Sequence, residues 1–110
     1  EISYNAAISA CEKGGEWPRA LTLLCELTHA RLRPDTISYN AAINACKRGG
    51  QWQRALSLFR EMPHSKVPAN EFSYLAAIGA CDRGGQWQRA LGLLAEMSKK
   101  GVAPHESSYN

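Results

Sequence analysis

Gly49-Gly50-Gln51-Trp52-Gln53-Arg54-Ala55-Leu56 is one of three near-identical phrases in this chain. The others are Gly14-Gly15-Glu16-Trp17-Pro18-Arg19-Ala20-Leu21 and Gly84-Gly85-Gln86-Trp87-Gln88-Arg89-Ala90-Leu91. Trp17, Trp52 and Trp87 are spaced by 35 residues both times. A fixed period of that size marks a repeat array, so fold and function are read one unit at a time. The units are 1–35, 36–70 and 71–105, and residues 106–110 return to the opening pattern as the start of a fourth. Fifteen columns are identical in all three copies, among them Ser3, Tyr4, Ala6, Ala7, Ile8, Ala10 and Cys11; residues so varied in so fixed an order exclude low complexity.

Each unit reads as two helices. Tyr4, Ala7, Ile8 and Cys11 stand at i, i+3, i+4 and i+7, the apolar stripe of one helix face, and recur as Tyr39, Ala42, Ile43, Cys46 and Tyr74, Ala77, Ile78, Cys81. Gly14-Gly15 ends that helix, because glycine takes the left-handed cap conformation without a Cβ clash. A second helix starts near Trp17, where Trp17, Ala20, Leu21 and Leu24 repeat the spacing. It fades around Ala30 in the first unit and Lys100 in the third. In the middle unit Pro63 predicts an earlier end, near Met62, and a locally different connection to the next unit. Two antiparallel helices joined by a tight turn form an αα-hairpin, and stacked hairpins form a superhelical solenoid. The fold expected is therefore all-α, with each Trp packed within its hairpin or against the next.

Composition narrows the function. The chain of 110 residues carries a formal net charge of +3 and a pI near 8.8, which permits an acidic partner without demanding one. No apolar run is long enough to span a membrane. Cys11, Cys46 and Cys81 share one column on stacked helices, too far apart for disulfide geometry, and read as small buried thiols in a reducing compartment. No CxxC pair, P-loop, GxSxG, HExxH or nucleophile–base pairing occurs, so neither a metal, a small-molecule cofactor nor an enzyme is expected. Arg19, Arg54 and Arg89 with Glu26, Glu61 and Glu96 read as inter-repeat ion pairs on the outer face.

The face of the first helix opposite its apolar stripe carries whatever the array does outside its own core. Three columns there repeat: Ile2, Ile37, Phe72; Asn5, Asn40, Leu75; and the cations Lys13, Arg48, Arg83. A fourth, at each unit's end, reads Asp35, Asn70, His105. Other roles suit the same residues. Asp35 and Asn70 suit helix N-caps, the cations suit a helix C-terminus, the large apolar residues could pack between units, and the asparagines could be ordinary surface residues.

The 35-residue period, the Ser-Tyr-Asn opening, the Gly turn, the Ala-Leu-x-Leu second helix and the closing Pro-Asp together resemble pentatricopeptide repeats over the whole chain. The resemblance implies a right-handed superhelix that binds single-stranded RNA at about one base per repeat in the groove lined by the first helices. Base edges would be read by Asn5 with Asp35, Asn40 with Asn70, and Leu75 with His105. Bases would sit between Ile2, Ile37 and Phe72 of successive units, and Lys13, Arg48 and Arg83 would approach phosphate. It also implies uracil for Asn5 with Asp35, cytosine or another pyrimidine for Asn40 with Asn70, and no standard base for Leu75 with His105. Such proteins act on transcripts of the mitochondrion or plastid, in processing, editing, stability or translation, and further units are expected on both sides. The alternative is a protein-interaction scaffold of the same fold.

Overall fold

Gly-Gly turns and Trp-led helix starts divide the chain where the period places them. A computed structural model describes residues 4–30, 32 and 34–101. Among these residues lie six helices and no strand: α1 (Tyr4–Gly14), α2 (Trp17–His29), α3 (Thr36–Arg48), α4 (Trp52–His64), α5 (Glu71–Arg83) and α6 (Trp87–Lys99). Ile2, His105 and residues 106–110 lie outside the described residues.

Within each Gly-Gly pair the two glycines answer different demands. The second is left-handed, with φ of +67°, +74° and +73° at Gly15, Gly50 and Gly85. Its conformation lets the next residue's N–H reach back to the helix, as when Gln51 N–H bonds the Cys46 carbonyl at 2.8 Å. The first glycine makes room. A Cβ on Gly49 would lie 2.3 Å from Trp17 Cδ1, and one on Gly84 would lie 2.2 Å from Trp52 Cδ1. Trp17 and Trp52 therefore each pack on the turn of the following unit, whereas Trp87, expected to be packed like them, is 63% exposed.

The odd-numbered helices pack against one another, α1 on α3 and α3 on α5, while the even helices touch only odd ones. Small residues set this asymmetry. Ala41, Ala45, Ala76 and Ala80 are buried where α3 and α5 meet the preceding unit, and their short side chains let the helices approach closely. The stripe expected from the period is buried in α3, as Tyr39, Ala42, Ile43 and Cys46. Burial pushes the Cys46 thiol up to about 11, against the opposing pull of Arg54. The cysteines are free, with Cys46 and Cys81 buried. Phe59 of α4 meets Tyr74 of α5 edge-on, ring centroids 4.8 Å apart.

Two expectations change. Helix α4 runs through Pro63 to His64 and is as long as α2 and α6. Proline in the last turn forfeits only one backbone bond, and the cap restores contacts beyond it: Ser65 N–H bonds the Glu61 and Met62 carbonyls, and Val67 N–H bonds that of Met62. The connection does differ locally, because Lys66 takes the left-handed conformation (φ +60°) that Gly101 takes in the third unit (φ +74°). The second change concerns the arginines. Arg54 lies over the Trp17 ring at 4.7 Å and Arg89 over Trp52 at 5.3 Å, so they stack on aromatic faces instead of pairing with Glu61 and Glu96. Those carboxylates accept from the hydroxyls of Tyr39 and Tyr74, and Glu96 also pairs with Arg60 and Lys100.

Candidate nucleic-acid interface

Two helix starts organise the candidate site. Asp35 caps α3 and Asn70 caps α5, each with extended backbone. Asp35 Oδ1 accepts the Ser38 backbone N–H at 3.0 Å, and Asn70 Oδ1 accepts that of Ser73 at 3.1 Å. In return the Ser38 and Ser73 hydroxyls accept the backbone N–H of Asp35 and Asn70, completing a capping box at each start.

From the preceding unit, one asparagine joins each box. Asn5 donates from Nδ2 to the Asp35 carboxylate, one long contact shared between the two oxygens at 3.5 Å each, and its Oδ1 accepts from the Ser38 hydroxyl. Asn40 donates from Nδ2 to Asn70 Oδ1 at 3.0 Å, and its Oδ1 accepts from the Ser73 hydroxyl. Thus the structure brings Asn5 to Asp35 and Asn40 to Asn70 through a serine that sequence reasoning passed over. Its signal was present as an invariant column, three residues after each Asp or Asn cap.

These bonds leave different free atoms. Asn5 keeps one free N–H, and beside it the Asp35 carboxylate keeps acceptor capacity. Burial alone would raise the Asp35 pKa, but hydrogen bonds from Ser38 and Asn5 outweigh it and hold the carboxyl below its ordinary value. The second pair keeps one N–H of Asn40 and both N–H of Asn70, so it mainly donates. Leu75 stands half-buried in the corresponding place on α5 and offers no hydrogen bond.

The flanking columns are accessible. Ile37 is 61% and Phe72 58% exposed, large apolar side chains facing solvent on the first turns of α3 and α5. Lys13, Arg48 and Arg83 are exposed at the last turns of α1, α3 and α5. Lys47, beside Arg48, is half-buried and crosses α5, where a Cβ on Gly79 would come within 2.9 Å of its Cδ. Burial first, then Arg48 and Arg83, lower its pKa, with Glu12 opposing. Among the described residues no group of His, Cys, Asp and Glu could hold a metal ion, and no helix is long and apolar enough to cross a membrane.

Comparison with known proteins follows the same period. Family models match as a PPR repeat family over residues 34–83, a pentatricopeptide repeat domain over residues 2–51 and a PPR repeat over residues 72–102. Among curated proteins none matches the chain. Solved structures of the pentatricopeptide repeat protein PPR10 are similar. One in complex with an 18-nucleotide psaJ RNA element is 30% identical over 97% of this chain and 16% of that chain, with a TM-score of 0.85. A C256S/C430S/C449S form with an 18-nucleotide psaJ RNA element is 29% identical over 92% of this chain and 15% of that one, with a TM-score of 0.82. PPR10 from maize, 24% identical over 96% of this chain and 15% of that one, shares the fold at a TM-score of 0.81. The chain thus spans about one sixth of the length of the proteins it resembles.

Proposed function

Because this chain belongs to the pentatricopeptide repeat family, we propose that it binds single-stranded RNA and selects about one base per unit. The observation that carries this proposal is the pair of hydrogen-bonded edges, Asn5 with Asp35 and Asn40 with Asn70, repeated at the two junctions. Two PPR10 structures similar to this chain hold RNA, which supports the same partner here.

Chemistry supports a base for each edge. Uracil offers a donor at N3–H between two carbonyl acceptors, which suits the free N–H of Asn5 and the acceptors of Asp35. Cytosine offers acceptors at N3 and O2, which suits the donors of Asn40 and Asn70. The third unit reads weakly, because Leu75 can make only apolar contact. Ile2, Ile37 and Phe72 hold the flat faces of the bases without regard to identity, and Lys13, Arg48 and Arg83 follow the phosphates. The biological setting we propose is transcript processing, editing, stability or translation in the mitochondrion or plastid. The proposal rests there on family resemblance, and the buried thiols are compatible with a reducing compartment.

Salt titration of binding tests the proposal. With about three phosphate contacts, the log of RNA affinity falls against log salt with a slope near about −2. A fluorescently labelled pyrimidine-rich single strand, read by anisotropy, provides the measurement. Binding that ignores salt would point to a peptide groove and overturn the RNA assignment.

A further inference from the structure

We propose that Ser38 and Ser73 are specificity-determining positioning residues: each locks the amide of the preceding unit's asparagine so that it shows a base its N–H and not its carbonyl. The role rests on the base-reading function proposed above, although the lock itself exists without RNA.

The lock follows by counting protons from the backbone outward. At the second junction the Ser73 backbone N–H fixes Asn70 with Oδ1 inward. That oxygen also takes the Asn40 Nδ2–H, so its two lone pairs are filled. The Ser73 hydroxyl already accepts from the Asn70 backbone N–H, and its single proton has two acceptors in reach, Asn40 Oδ1 and, at 3.1 Å, Asn70 Oδ1. Because the lone pairs of Asn70 Oδ1 are filled, the proton goes to Asn40 Oδ1. Reversing the Asn40 amide would set its carbonyl oxygen against Asn70 Oδ1, two acceptors with no proton between them. At the first junction the same reversal would set the Asn5 carbonyl against the Asp35 carboxylate, which is worse because that group is charged. Both serines are buried, Ser38 at 1% and Ser73 at 0% exposure, so water does not compete for the hydroxyls.

An unlocked asparagine amide presents a donor or an acceptor with a half turn of its side chain. A locked one discriminates. The consequence is that each unit's selectivity depends on a residue of the following unit, and that residue touches no base.

Side-chain amide NMR of the free chain tests the lock, and RNA binding tests its effect. In the unaltered chain the Asn5 and Asn40 amide protons are ordered and protected from exchange. Ser38→Ala removes the donor to the Asn5 carbonyl and leaves that amide held only by its long 3.5 Å contact to Asp35, so its order and protection fall while those of Asn40 are unchanged. Ser73→Ala at the other junction does the converse and gives an independent copy of the test. RNAs differing only in uracil or cytosine opposite the first unit then lose about three- to tenfold of their discrimination in Ser38→Ala, keep it opposite the second unit, and regain it in Ser38→Thr. Mobile asparagine amides in the unaltered chain would overturn the lock. A Ser38→Ala chain that melts earlier but keeps its amide order and its discrimination would reduce Ser38 to a helix cap. If the unaltered chain shows ordered amides but no base preference, the base-reading assignment fails, and the specificity role with it, while the lock stands.

Discussion

The junction between the first and second units and the junction between the second and third are built from the same columns. Trp17 rests on Gly49 beneath Arg54, and Trp52 rests on Gly84 beneath Arg89. Asn5, Ser38 and Asp35 close one hydrogen-bonded set, and Asn40, Ser73 and Asn70 close its copy. The sets differ in one functional group, a carboxylate at Asp35 where Asn70 has an amide. The packing therefore fixes where an edge is displayed, while a single cap residue decides what that edge donates or accepts. A repeat protein built this way changes its ligand chemistry without disturbing its stacking.

The largest effect breaks the stacking half of the comparison. Gly49→Ala and Gly84→Ala each drive a methyl into the Trp ring of the preceding unit and cost about 1–3 kcal/mol by overpacking. Gly14→Ala should cost almost nothing, because a Cβ there meets only the flexible Glu16 Cγ, at 3.5 Å. Urea unfolding of the three variants measures this. Equal losses at all three positions would mean that the first glycine serves only its own turn and that the Trp contact is not what demands it.

A smaller effect sharpens the polar half. Exchanging the caps, Asp35→Asn with Asn70→Asp, keeps both capping boxes, since either side chain accepts the serine N–H. Stability should change little, while the preferences of the two units trade places, uracil moving from the first to the second. One unsatisfied hydrogen bond per wrong base corresponds to roughly tenfold in affinity. Competition between RNAs that differ at these two bases reads the exchange. Preferences that stay with their units would show that the caps do not set the choice and that something outside these two asparagine–cap pairs distinguishes the units.

Much of this was legible in the chain itself. A fixed period announces a repeat, and the helical stripe, the Gly turns and the Trp starts locate the helices because each depends on local spacing. The asparagines and caps were legible as columns, but their joining was not. Asn5 and Asp35 lie thirty residues apart, in α1 and just before α3, and meet only because alanines let those helices close up. Ser38 escaped notice because an invariant serine near a helix start reads as ordinary polar surface until its burial is known. The arginines were misassigned for a related reason: charge suggested Glu61 and Glu96, yet the planar guanidinium found a Trp face at the distance where the next unit stacks. Pro63 misled because sequence rules describe helix interiors, whereas this proline sits in a final turn, where it forfeits one bond and the Ser65 N–H still closes the helix on the Glu61 and Met62 carbonyls.

The smallest expected effect concerns acid. Hydrogen bonds from Ser38 and Asn5 hold the folded Asp35 carboxyl below its ordinary value, although burial pushes the other way. A depressed carboxylate contributes stability that is complete above the unfolded value and is lost as pH falls through the folded one. The first junction should therefore weaken as pH falls through and below the ordinary carboxylate value of 3.8, while the second, capped by an amide that does not titrate there, should not. Asp35 is exposed, so solvent screens the effect and it stays small. Melting Asp35→Asn beside the unaltered chain from pH 7 down to pH 3 isolates it, because other acid-sensitive groups are common to both. The unaltered chain should lose ground to the variant as pH drops. A constant gap would mean that the carboxylate gains nothing from its serine and asparagine donors when the chain folds, and that the two junctions differ only in what they offer a base.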